Sequence, residues 1–116
     1  MPTPKKGYRL GGSPAHNRLM VRNLAADVIL NGKIRTTEAK AKQTRPFIER
    51  MITVAKKGDL AAKRQLIAEL NNEEAAHKLV AEVAPKYAKR PGGYTRIIKT
   101  GYRQGDAALM VQLELV

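Results

Sequence analysis

No cysteine occurs in the 116 residues. Disulfides and thiolate metal sites are thereby excluded, which is compatible with a reducing compartment. Tryptophan is missing too, and the aromatics amount to one Phe and four Tyr. Leu, Ile, Val and Ala must therefore fill the core. The two histidines, His16 and His77, lie far apart, and no metal-ligand spacing appears. His77, near Glu73 and Glu74, reads as surface polar decoration. No phosphate-loop or dinucleotide glycine pattern is present, and GGSP at residues 11–14 reads as a hinge. Ser13 has no evident base. With every such constellation absent, we expect no enzyme, no cofactor, no metal and no small-molecule substrate. No apolar run approaches the length of a membrane span. The start of the chain, MPTPKKGYRLGGSPAH, lacks the apolar segment of a signal peptide. A soluble, cytoplasmic protein that avoids membranes is the expectation.

Acids are scarce where cations are plentiful. The chain holds 22 Lys and Arg against 10 Asp and Glu, for a formal charge of +12 and a pI near 10.3. So much like charge on a small body repels itself, and a polyanion would relieve the repulsion. Nucleic acid is the commonest such partner. Before Asp27 there is no acid, only Lys5, Lys6, Arg9, Arg18 and Arg22. From Lys86 to Gly105 there is again none, while Lys89, Arg90, Arg96, Lys99 and Arg103 accumulate. Between Asp59 and Ala84 the balance reverses, with acids outnumbering Lys63, Arg64 and Lys78. Such segregation predicts one basic binding face opposite a neutral or acidic one.

Residues 1–12 read as an extended basic arm, because Pro2, Pro4, Gly7, Gly11 and Gly12 oppose helix and strand alike. Residues 13–116 read as one globular domain. Ser13-Pro14 starts a first helix to about Leu30, with a hydroxyl cap and proline at its first position. Met20, Val21, Leu24, Ala25 and Val28 fall on one face of it, and Leu19, Ala26 and Leu30 on another. A helix apolar on two sides packs between layers. That division also argues against lying in an anionic membrane surface, which needs one long apolar face. Arg18 and Arg22, four apart, share a strip that is either solvated or a phosphate clamp.

Asn31-Gly32 ends this helix. KIRTT, residues 33–37, suits a short strand. Thr37 is expected to cap a second helix to about Lys57, with Pro46 kinking or breaking it and Lys40, Lys42 and Arg45 just before the proline. Asp59 caps a third helix to about Leu70, with Leu66, Ile67 and Leu70 inward. Asn71-Asn72 breaks it before a fourth, Glu73 to Ala84, which Pro85 ends or restarts. Pro91-Gly92-Gly93 stops helix altogether.

The tail is β. ALMVQLELV, 108–116, alternates strictly, with Leu109, Val111, Leu113 and Leu115 on one side. Tyr94 to Arg103 forms its hairpin partner through a turn at Gln104-Gly105-Asp106. The class is therefore α+β: four helices on a small C-terminal antiparallel sheet, with KIRTT as a possible third strand. Simple alternation puts Arg96 on one pleat face and Lys99 and Arg103 on the other. Tyr94 and Tyr102 either stack on unpaired bases or pack at the edge of the core. Gly92-Gly93 either lets a phosphate approach closely or simply makes a turn.

Three stretches carry a family resemblance: VRNLAADVILNGKI (21–34), IRTTEAKAKQTR (34–45) and GGYTRIIKTGYRQGDAALMVQLELV (92–116). In order and spacing along nearly the full chain they resemble bacterial large-subunit ribosomal protein seventeen. The resemblance implies a non-enzymatic structural constituent of the large ribosomal subunit. It implies binding to large-subunit ribosomal RNA, beside neighbouring ribosomal proteins, near the outer end of the peptide exit tunnel. The positions it implies for RNA are the arm with Lys5, Lys6 and Arg9, then His16, Arg22, Lys40, Lys42 and Arg45, then the strand with Gly92, Gly93, Tyr94, Arg96, Lys99 and Arg103. To these the charge pattern adds Arg18 and Arg90. Two departures limit the transfer. Relatives usually begin Met-Arg-His and carry Asn-Arg shortly before the first helix, where this chain has Pro2-Thr3 and Gly11-Gly12. Many also have Arg directly after the first-helix histidine, where this chain has Asn17. Only the arm's location and sign carry over. The alternative is a free DNA-binding or regulatory protein, although neither a helix-turn-helix signature nor a dimer seam is evident.

Overall fold

The computed structural model describes residues 14–116. The arm with Lys5, Lys6 and Arg9, and the Ser13 cap, lie outside the described residues. The elements in order are α1 (Pro14–Asn31), β1 (Lys33–Thr37), α2 (Glu38–Ala55), α3 (Leu60–Leu70), α4 (Glu73–Lys78), β2 (Thr95–Tyr102) and β3 (Leu109–Leu115). α4 continues through a π-helical segment (Leu79–Val83) into a last α-turn (Ala84–Lys86), so the fourth helix extends through Pro85.

Local chemistry sets most boundaries. Gly32, at φ 84°, donates its N–H to the Val28 carbonyl at 2.7 Å and closes α1. Lys78 reaches over from α4 to the Leu30 carbonyl at 2.7 Å, placing a cation at the negative end of α1. The Asp59 carboxylate accepts from the Ala62 N–H at 2.7 Å, and the Asn72 side chain accepts from Ala75 at 3.0 Å. Both are N-caps. Asn71 takes the left-handed conformation between them, at φ 51°. Thr37 stands at the cap position of α2, but its hydroxyl makes no capping bond; its backbone is still paired with Met110 in the sheet.

Pro46 does not break α2, which runs unbroken past it. Ala41, Thr44, Ile48, Met51, Ile52 and Ala55 are buried along both halves of one face, and that continuous burial outweighs one lost backbone bond. Near Pro85 the helix widens: Ala84 donates back to Leu79, five residues earlier. The wider turn relieves the crowding that a proline ring imposes on the carbonyl four residues before it.

The sheet is antiparallel in the order β1-β3-β2, so β3 is central and KIRTT is the third strand. Ile34 and Ile97 flank Leu113, and Thr36 and Lys99 flank Val111. Val111 and Leu113 are fully buried. This face packs on α1 and α2. α3 packs against both of these helices, α4 against α1 and its continuation (Leu79–Lys86) against α2, and none of them makes appreciable contact with the strands. They therefore lie on the side of α1 and α2 away from the sheet. One cluster, including Ile29, Ile48, Met51, Leu66, Leu79 and Leu113, joins helices and sheet. Ile67 was expected inward but is 41% exposed; Leu66 and Leu70 suffice to seat α3.

Candidate nucleic-acid interface

The free face of the sheet follows from the register. Alternation turns Lys33, Arg35 and Thr37 of β1, Met110, Gln112 and Glu114 of β3, and Arg96 and Ile98 of β2 away from the helices. Lys33, Arg35, Arg96 and Ile98 are exposed. One row across the three strands reads Lys33, Glu114, Arg96, and the next Arg35, Gln112, Ile98. Arg96 pairs through Nε with the Glu114 carboxylate. That bond, with the Gln112 amide and the charge of Lys33, holds the Glu114 carboxyl below its usual range. Lys33 and Arg35 were missed as candidates. The alternation of KIRTT held the signal, because Lys33 and Arg35 must share a face if Ile34 is turned inward.

The second feature is an open groove of about 590 Å³ between α2 and edge strand β2, lined by Glu38, Lys42, Arg45, Pro46, Glu49, Ile97 and Lys99. Its acids are engaged. Glu38 pairs with Lys42 at 2.8 Å, which holds its carboxyl below the usual range, helped by the charge of Lys99. Glu49 accepts from the Tyr94 N–H at 3.2 Å and the Thr95 hydroxyl at 3.3 Å, tying the start of β2 to α2. Arg45 and Lys99 form no ion pair among the described residues and point the balance of the groove towards an anion. Lys40 is half-buried beside this stretch, and its carbonyl accepts from Thr44.

A bulge between Lys99 and Gly101 changes the hairpin. Gly101 at φ 133° takes a backbone conformation that other residues rarely adopt. Lys99 lies opposite Val111 and Tyr102 opposite Leu109, so Tyr102, and not Arg103, continues the face of Lys99. Tyr102 is 73% exposed. Arg103 instead grips Asp106 across the turn with two bonds. Together with the Ala108 N–H it lowers the Asp106 pKa to about 2.

Tyr94 is held inside the protein, and Arg90, though exposed, is tied to it and to the chain end by bonds within the fold. Tyr94 is 2% exposed, its ring 5.1 Å from that of Tyr87. Its hydroxyl donates to the Arg90 carbonyl at 3.0 Å and accepts from Lys56 at 3.0 Å. Its ring is therefore not offered to a base. Burial also pushes the Tyr87 hydroxyl upward. The Arg90 guanidinium lies 5.0 Å over Tyr87 and donates to the carbonyls of Gly93 and Val116, closing the loop onto the end of β3. Gly93 has φ 65°, which accounts for glycine there as turn chemistry. Gly92 needs no positive φ, and space is open beside both.

His16 and Arg18 are exposed on the first half of α1, and Arg22 is half-buried one turn on. None of them lines the groove or the sheet face. Among the described residues, no group of His, Asp and Glu could hold a metal ion, and no helix is long and apolar enough to cross a membrane.

Residues 20–116 match the family model of ribosomal protein L17. The chain belongs to the ribosomal protein L17 family. It is a protein of the large ribosomal subunit, and so part of the ribonucleoprotein that carries out translation. The matched span contains the open sheet face, the groove and Arg22, and leaves out the arm, His16 and Arg18.

Proposed function

We propose that this chain is a structural, non-enzymatic constituent of the large subunit that binds large-subunit ribosomal RNA. One observation carries the reading. The cations Lys33, Arg35, Arg45 and Lys99, which form no ion pair among the described residues, gather on the open sheet face and in the adjoining α2–β2 groove, while the stretch from Asp59 to Ala84, with five acids against three cations, packs on the opposite side of α1 and α2. Lys and Arg on that side neutralise phosphates and release condensed counterions. Exposed Tyr102 can stack on an unpaired base. Arg18, Arg22 and His16 extend the contact along α1, and the arm with Lys5, Lys6 and Arg9 threads between RNA helices beyond the reach of a folded surface. Arg90, Gly93 and Tyr94 support the loop that presents β2, and Arg103 locks its turn. On the resemblance set out above, attachment is near the outer end of the peptide exit tunnel, beside other large-subunit proteins, and the protein acts ribosome-bound in the cytoplasm.

Binding of the full chain to a large-subunit ribosomal RNA transcript across a salt series tests this. Affinity should fall steeply and linearly on logarithmic axes. Affinity indifferent to ionic strength would end the reading. Sedimentation in a low-salt gradient separates it from a free DNA-binding protein, which would run apart from ribosomes.

A further inference from the structure

Glu114 stands in the middle of the basic sheet face, where an acid should repel RNA phosphate. Its surroundings give it another use. The Glu114 side chain is 13% exposed, against 59% for Arg96. Both of its carboxylate oxygens are occupied: Oε1 accepts from Arg96 Nε, and Oε2 from the Gln112 amide at 2.9 Å. Arg96 is bound by Nε alone; its two terminal nitrogens make no bond among the described residues. A guanidinium is planar, so fixing one donor fixes the direction of the other four N–H groups. Lys33 lies on the far side of Glu114 in the same row. Adjacent strands are about 4.8 Å apart, so the two cations flank a strip roughly 10 Å wide with the acid recessed between them.

We propose that Glu114 is a positioning residue of a phosphate clamp: it holds Arg96 by Nε so that the terminal guanidinium nitrogens, with Lys33 across the row, close on the phosphodiester backbone of RNA. Arg binds phosphate best through two parallel N–H bonds, and a fork already oriented loses less freedom on binding. The inference rests on the RNA-binding reading above and adds an acid that helps an anion to bind.

The full chain and its variants are titrated with a large-subunit ribosomal RNA transcript at one fixed salt. Charge alone predicts that E114A, having lost an acid, binds more tightly. Positioning predicts binding about threefold to tenfold weaker. E114Q, whose amide oxygen still accepts from Nε, should stay within about twofold of the parent. R96K keeps the charge without the fork and should lose about as much as E114A. In an R96A background, E114A has nothing left to position and should cause no further loss. E114A or R96K binding as tightly as the parent overturns the proposal. Should E114A not keep the parent's circular dichroism, R96K decides: weakened binding with a native spectrum supports the oriented fork, and parental binding refutes it. A parent chain without salt-dependent binding is a different outcome, since it removes the RNA-binding reading itself.

Discussion

Leu113 is the side chain on which the meeting of sheet and helices turns. It is fully buried on the central strand, between Ile34 and Ile97, facing α1 and α2. Leu113→Ala removes three carbons, worth about 0.8 kcal/mol each in transfer from water. The gap left in so enclosed a site adds to this, for a total of about 3–4 kcal/mol. A chain of this size has stability on the order of 5–15 kcal/mol, so the variant should still fold. Its melting temperature should drop by about 10–20 °C. Leu113→Asp places a carboxylate at the same point with no partner, and should abolish the fold at neutral pH. Ile98→Asp is the matched control: it lies on the same sheet but on the open face, 39% exposed, and should cost less than about 1 kcal/mol. Urea unfolding followed by circular dichroism, with unchanged slope, measures Leu113→Ala and Ile98→Asp, and the spectrum without urea shows whether Leu113→Asp folds. A soluble, native-like Leu113→Asp, or an Ile98→Asp as damaging as Leu113→Ala, would refute the assignment of the two sheet faces.

Tyr94→Phe leaves the ring and the direct bond from Lys56 to the Arg90 carbonyl at 2.7 Å, removes only the hydroxyl's two bonds, and should cost about 1 kcal/mol in urea with RNA affinity unchanged; lost affinity at full stability would mean the hydroxyl meets RNA. Asp106 has a folded pKa of about 2, below the ordinary carboxylate value. Its contribution to stability is therefore complete above pH about 4 and disappears as pH falls through about 2. A carboxyl NMR titration should show this, and Arg103→Ala should return the midpoint towards the ordinary value; a midpoint near 4 in the parent would remove the turn lock. Arg45→Ala with Lys99→Ala should weaken RNA binding and lower the logarithmic salt slope by roughly 0.7–0.9 for each phosphate no longer neutralised. An unchanged slope would show that the groove does not meet the backbone.

Much of the fold was legible because local signals and burial agreed. Asp59, Asn71, Asn72 and Gly32 act within one helical turn, and each ends or starts a helix where its chemistry says. The alternation of ALMVQLELV announces one buried face, and Val111 and Leu113 occupy it. Pro46 misled in part, because its local cost is offset by side chains up to nine residues away. Ile67 misled for a related reason: helical period gives a face, but only the neighbouring helix decides how much of that face is covered. In the candidate interface, Arg96 and Lys99 were legible as cations on opposite pleat faces. The places of Tyr94, Arg90 and Arg103 were not, since each is set by a partner or bulge that alternation cannot show.

Composition and order alone determined that this chain is basic, that its positive charge is concentrated in separate stretches, and that helices precede a hairpin. These are properties of residue type and near neighbours. Which cations stand together was decided by the tertiary structure. Pairing β1 with β3 across more than seventy residues brings Lys33 and Arg35 onto the same sheet face as Arg96, and packing α2 along β2 sets Arg45 near Lys99. It also decided that one tyrosine of the hairpin is buried and the other open. Long-range pairing and one bulge choose the face on which a side chain emerges, and no local preference contains that choice.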